Sequence, residues 1–217
     1  GQGSQWFGMG RKLLEQEAVF REVVERCDRA MRPYGDWSLL AELTATDRAQ
    51  SRLNEIDIIQ PALFAIQVAL AALWRSWGIE PQAVVGHSMG EVAAAYVAGA
   101  LSLEDATRVI CRRSRLVKRT IGQGVMAAVE LSMEEARRVL AGYEDRVSIA
   151  VSNGPTSSVL SGDPAAHQAI LDQLERRDIF YRMVKVDFAS HSPQMDPLRA
   201  ELLQALEGLE PRPASVP

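Results

Sequence analysis

The sequence predicts a mixed α/β chain, a larger α/β layer with a small split βαβ unit inserted into it. Three observations carry this expectation. A short β-branched run, Ala83-Val84-Val85, leads directly into Gly86-His87-Ser88-Met89-Gly90, and a helical run of small residues follows. From Val125 onward, two-residue and 3.6-residue hydrophobic periods alternate in the order strand, helix, strand, strand, helix, strand. The composition, 47% hydrophobic and 24% charged over 217 residues, belongs to a globular chain with a sizeable core rather than to a disordered or low-complexity one.

The elements follow in order. A helix is expected over 11–31, with Leu13, Leu14, Phe20, Val23 and Val24 at apolar positions and Pro33-Tyr34-Gly35 as its stop. A polar helical patch at 47–54 precedes a buried helix over 61–77, which Gly78 ends. The buried strand 83–85 comes next, then helices over 92–100 and 103–119, the second closed by Gly122 and Gly124. Strand 125–131 begins the small unit, and helix 132–143 carries a capping box of Ser132 and Glu135. Strands 147–152 and 157–161 flank the turn Asn153-Gly154-Pro155. Gly162-Asp163-Pro164 opens helix 165–177, and strand 179–186 completes a ferredoxin-like βαββαβ order. The small unit is therefore placed at 125–186 and the larger layer at 1–124 and 187–217.

With 24 Lys+Arg against 28 Asp+Glu the net charge is −4, which argues against a nucleic-acid or anionic-membrane surface. The basic stretch from Arg112 to Arg119 reads as one solvated helix face. Cys27 and Cys111 match no metal spacing, so structural thiols in a reduced, cytoplasmic chain are expected. The longest apolar stretch, Pro61 to Trp74, is broken by Gln67 and falls short of the roughly 20 residues a membrane span needs. There is no signal-peptide pattern. The chain opens without methionine, in the loop-like Gly1-Gln2-Gly3-Ser4-Gln5, and a piece of a longer polypeptide is expected.

Gly86-His87-Ser88-Met89-Gly90 fits G-x-S-x-G between a strand and a helix, the context in which a strained turn projects a nucleophilic serine. The alternative is a tight turn with an incidental serine. At the helix start the Met89 N–H is placed to stabilise an oxyanion. Of the three histidines, His87 adjoins Ser88 and shapes the site rather than taking its proton, and His167 is expected on the surface of the small unit. His191, in Phe188-Ala189-Ser190-His191-Ser192-Pro193, is the candidate general base, against the alternative that it caps the helix beginning near Pro193. Neither Asp187 nor Asp196 is well placed to orient it, so a Ser-His dyad oriented by a backbone carbonyl is preferred to a triad.

Arg113 is informative because its helix position can be derived. At about 100° per residue it falls within about 20° of the centre of the face formed by Ala106, Val109, Ile110 and Val117. A guanidinium there needs a partner, either a core Glu or Asp in a structural ion pair or the carboxylate of a substrate.

With Gly1-Gln2-Gly3-Ser4-Gln5, Gln60-Pro61-Ala62-Leu63, Gly86-His87-Ser88-Met89-Gly90-Glu91, Arg113 and Ser190-His191-Ser192-Pro193 in order, the sequence resembles the malonyl-CoA:acyl-carrier-protein transacylase family. The closer likeness is to acyltransferase domains of modular type I polyketide synthases. The resemblance implies an α/β-hydrolase-like large subdomain with the ferredoxin-like insertion. It implies that Ser88 carries the acyl group, His191 is the base and Arg113 holds a malonyl-type carboxylate. Gln2 and Met89 would supply oxyanion-hole N–H groups, with Gln60 and Asn153 lining the pocket. The partners implied are malonyl- or methylmalonyl-CoA, the phosphopantetheine of an acyl carrier protein and neighbouring synthase domains. No bound cofactor or metal is implied.

Two departures matter. Family members choosing methylmalonyl tend to carry Tyr-Ala-Ser-His before the base and those choosing malonyl His-Ala-Phe-His, whereas this chain reads Phe188-Ala189-Ser190-His191. Ser190 leaves room for an α-methyl and favours methylmalonyl, although Met89 stands where methylmalonyl enzymes often have Gln. The family also begins with a strand before the Gly-Gln-Gly loop and continues past Pro217, so truncation at both ends, with poor stability and little activity, is expected. The rival readings are an α/β-hydrolase-type esterase or thioesterase, which gives no reason for Arg113 on an apolar face, and an inert scaffold that docks a carrier protein.

Overall fold

The structure is a computed structural model that describes residues 1–217, and the chain divides into two compact units, Gly1–Lys118 with Leu202–Pro217, and Arg119–Glu201. The first unit is helical: α1 (Arg11–Gln16), α2 (Ala18–Met31), α3 (Leu39–Thr44), α4 (Ile56–Ser76), α5 (Gly90–Val97) and α6 (Leu103–Lys118). On α2, Phe20, Val23, Val24, Cys27 and Met31 recur at helical spacing and bury one stripe, which packs against α4 and α6. The buried carboxylate of Asp28 accepts from Ser38 Oγ (2.9 Å) and Leu40 N (3.3 Å), tying α2 to the start of α3.

Expectations for this unit are corrected at several points. The helix over 11–31 is two helices, because Glu17 is extended (φ −111°, ψ 104°) and Arg21 Nη2 donates to the released Glu15 carbonyl (2.8 Å). At 47–54 only the single turn Arg48–Gln50 forms, since Asp47 spends its side chain on the Ala49 N–H (2.9 Å). The strand at 83–85 is not formed. Only the Val84 N–H finds a backbone acceptor, the Pro217 carbonyl (2.8 Å), and Val85 is 96% exposed, because a ladder needs neighbouring strands and this unit has none.

Helix α4 starts at Ile56, ahead of Pro61. An interior proline costs about 3 kcal/mol, whereas fully burying one isoleucine returns roughly 1.5–3 kcal/mol. Buried Ile56, Ile58 and Ile59 upstream of the proline therefore decide the outcome. By length and apolarity alone α4 passes for a membrane span, but 67% of its apolar window is buried within the protein, as in a core helix. Helix α5 ends at Val97, earlier than expected, and the left-handed Gly99 (φ 81°) follows its cap residue Ala98.

The second unit holds β1 (Val125–Val129), α7 (Met133–Val139), β2 (Val147–Gly154), β3 (Ser157–Gly162), α8 (Pro164–Arg176) and β4 (Tyr181–Met183). Helix α9 (Arg199–Ala205) crosses the boundary between the units. The four strands form one antiparallel sheet in the order β2-β3-β1-β4, with Ala127 opposite Leu160 and Ala128 opposite Arg182. This is the expected split βαβ arrangement. Ser132 and Glu135 close the capping box of α7, and Asp163 caps α8 through the Ala166 N–H (2.8 Å) with Pro164 at its first position. Leu160 of β3, Leu131, and Ile170, Leu171 and Leu174 of α8 lie in one core. Strand β4 is shorter than expected because the chain folds back after Val184, whose carbonyl accepts from Val186 N (2.8 Å).

His167 is also corrected. Rather than lying on the surface it is fully buried, with Nε2 3.3 Å from the Leu160 carbonyl. A carbonyl only accepts, so Nε2 carries the proton, and burial lowers the imidazole pKa.

Candidate active site

The turn that leads into α5 is closed by three backbone hydrogen bonds, Gly90 N to His87 O (3.0 Å), Glu91 N to Ser88 O (3.0 Å) and Val92 N to Met89 O (3.2 Å). These leave the Met89 N–H ahead of the helical ladder. Ser88 takes a left-handed conformation (φ 53°), which costs a non-glycine residue roughly 1–2 kcal/mol and persists only where the surroundings impose it. The imposed element is visible at Gly86, where a Cβ would run into the backbone N and Cα of Glu91. Met89 packs its side chain into the core and His87 stays exposed. The Gly1–Gln5 loop lies against this turn, so close that a Cβ on Gly1 would sit 2.9 Å from the His87 carbonyl oxygen.

Arg113 on α6 faces α4. Its Nη1 donates to Gln60 Oε1 (2.9 Å), and Gln60 Nε2 donates to Gln2 Oε1 (3.0 Å). Gln60 is 3% exposed. Of the two environments expected for Arg113, the structural ion pair is not formed, as no carboxylate pairs with it. Burial lowers its pKa, with no other cause of the shift. The guanidinium therefore keeps its charge in a desolvated setting with one neutral partner, the state of a cation receptive to an anion. The side-chain bond of Gln2 was not foreseen in the sequence. The available signal was a glutamine inside the apolar run 58–65.

Asn153, Phe188, Ser190 and His191 belong to the second unit. Phe188, Ala189, Ser190 and Ser192 are buried, while His191 between them is exposed and left-handed (φ 59°). The cap of the following turn, Pro193–Leu198, is Ser192, whose Oγ accepts from Gln194 N (3.3 Å) and donates to the Ala189 carbonyl (2.7 Å). Capping therefore does not account for His191. Asn153 is exposed near the end of β2.

Residues 1–217 match the acyl transferase domain family along their whole length. The chain belongs to that family. It is 48% identical over 216 residues to erythronolide synthase EryA2 of Saccharopolyspora erythraea, which covers 100% of this chain and 6% of that protein. Among solved structures, the acyltransferase domain from module 8 of the salinomycin polyketide synthase superposes with a TM-score of 0.95 at 44% identity, over 100% of this chain and 51% of that one. The malonyl CoA-acyl carrier protein transacylase of Coxiella burnetii gives 0.90 at 28% identity, over 100% and 69%. This acyl transferase domain thus spans a small part of its curated relative and about half of a solved one.

Proposed function

We propose that the domain moves a carboxylated acyl group from CoA to the phosphopantetheine thiol of an acyl carrier protein through an ester on Ser88, within a larger polyketide-type synthase. The Arg113 guanidinium, desolvated and held only by a neutral amide, carries this reading. An esterase or scaffold has no use for such a group, whereas an α-carboxylated acyl chain supplies its missing anion and a plain acyl chain leaves it unpaired.

In the first half-reaction His191 takes the Ser88 proton and Oγ attacks the thioester carbonyl. The Gln2 and Met89 backbone N–H groups stabilise the oxyanion, the C–S bond breaks, and the CoA thiolate leaves with the proton from His191. In the second, His191 takes the proton of the carrier thiol, the thiolate attacks the ester, and Ser88 Oγ leaves and is reprotonated. A backbone carbonyl orients the imidazole in place of an acid. Gln60 fixes Arg113, His87 shapes the elbow, and Asn153, Phe188 and Ser190 line the acyl pocket. The small Ser190 admits an α-methyl group and favours methylmalonyl over malonyl. Residues 125–186 serve as the inserted subdomain and 1–124 with 187–217 as the α/β-hydrolase-like one.

Intact and peptide mass spectrometry of the full chain after incubation with methylmalonyl-CoA tests this. The expected result is one acyl adduct on the peptide containing Ser88, absent in Ser88→Ala and discharged by added carrier protein. An unmodified Ser88 overturns the reading.

A further inference from the structure

Gln60 joins two parts of the site that the reaction uses at different moments. Arginine has no acceptor atom, so the Gln60 amide can face Arg113 only with its oxygen. Its nitrogen is then committed to the other side, and Gln2 must present its own oxygen to it. The hydrogen bonds Arg113 Nη1 to Gln60 Oε1 and Gln60 Nε2 to Gln2 Oε1 thus run in one direction and admit no flipped arrangement. The middle amide is buried, while Gln2 lies on the exposed Gly1–Gln5 loop. Within that loop the neighbouring Gly1 abuts the His87 carbonyl of the elbow. Arg113 has five N–H donors and spends one, on Nη1, on Gln60, so four remain, two of them on the Nε/Nη2 edge that suits a carboxylate.

We propose that Gln60 is a positioning residue that couples occupation of Arg113 by a carboxylated acyl group to placement of the Gly1–Gln5 loop. This rests on the acyltransferase reading above and deepens it. A carboxylate that fixes the guanidinium fixes Gln60, and Gln60 holds the loop whose backbone N–H faces the oxyanion. Substrate selection then acts on the chemical step as well as on binding. A plain acyl chain leaves the guanidinium mobile and the loop less ordered.

A three-residue cycle on kcat/KM for methylmalonyl-CoA in the full chain tests the coupling, using Gln2→Ala, Arg113→Ala and Gln60→Ala alone and in combination. Gln2→Ala keeps the backbone N–H. With Gln60 present, the Gln2 and Arg113 substitutions are expected to be non-additive by about tenfold, and in the Gln60→Ala background their effects should multiply independently. Independence with Gln60 present, or coupling that survives its removal, overturns the relay. Gln60→Glu guards against a folding artefact, since its carboxylate pairs with Arg113 without leaving a cavity. The thermal midpoint should hold or rise while KM for methylmalonyl-CoA increases about tenfold. An unchanged KM for methylmalonyl-CoA contradicts the proposal. Failure of the underlying reading shows separately, as an Arg113→Ala enzyme that keeps its preference for methylmalonyl- over propionyl-CoA.

Discussion

Gly86 and Glu91 approach so closely that no side-chain carbon fits between their backbones. This contact sets the sharpness of the turn that holds Ser88 at φ 53°. Gly86→Ala should destabilise the protein by about 1–3 kcal/mol, the usual cost of overpacking, and lower Ser88 acylation at least about tenfold with Ser88 and His191 untouched. Urea unfolding and burst acylation measure the two effects. An alanine variant acylated at the parental rate would show that this contact does not set the reactivity of Ser88.

His167 gives the second unit an acid-sensitive point. Its folded pKa lies below the ordinary 6.5, so the unfolded chain binds the proton more readily. The stability contributed by the neutral, buried ring is present above pH 6.5 and is lost as the pH falls from there through the lower folded pKa. His167→Gln can still donate to the Leu160 carbonyl and does not titrate. Unfolding free energies at pH 7 and pH 5 should differ less for this variant than for the parent, and equal slopes would contradict the assignment.

How far the sequence alone reached depends on how local each cause is. The capping box of Ser132 and Glu135 and the Asp163-Pro164 helix start were legible because both partners lie within one turn. The placement of Arg113 on an apolar face followed from helical period. Pro61 misled because a local rule was outweighed by burial of Ile56, Ile58 and Ile59. The 83–85 strand misled because pairing depends on segments far away in sequence. His167 reads as polar and early in a helix, and only the fold shows the Leu160 carbonyl above it. The Gln2 to Gln60 bond joins residues 58 apart, which no periodicity reports.

Lys118 at the end of α6 donates to Glu55 Oε2 (2.8 Å) just ahead of α4, bracing the helices that carry Arg113 and Gln60. Hydrogen bonds from Arg52 and then Lys118 hold the Glu55 carboxyl down at about 2, against an ordinary 4.5. Its contribution is therefore present above pH 4.5 and is lost as the pH falls toward 2. Both side chains are about a third exposed (38% and 34%), so water and salt screen the pair. Lys118→Ala should cost under about 1 kcal/mol, and less in high salt. A larger, salt-independent loss would show that the pair is not solvated as described.

Ser190 is buried at 8% exposure, directly before His191. Ser190→Phe should shift selectivity from methylmalonyl toward malonyl by about tenfold or more, the value of one methyl group in a closed pocket. Competition between the two CoA esters reads the shift, and an unchanged ratio would remove Ser190 from the pocket.

The most direct test is to offer methylmalonyl-CoA and propionyl-CoA together to the parent and to Arg113→Ala, and to weigh the ester formed on Ser88. Loss of a charge-assisted, two-point contact should lower the methylmalonyl-to-propionyl ratio by about a hundredfold, with propionyl loading maintained or increased. The same ratio in both proteins would contradict the assignment of Arg113 as the carboxylate receptor.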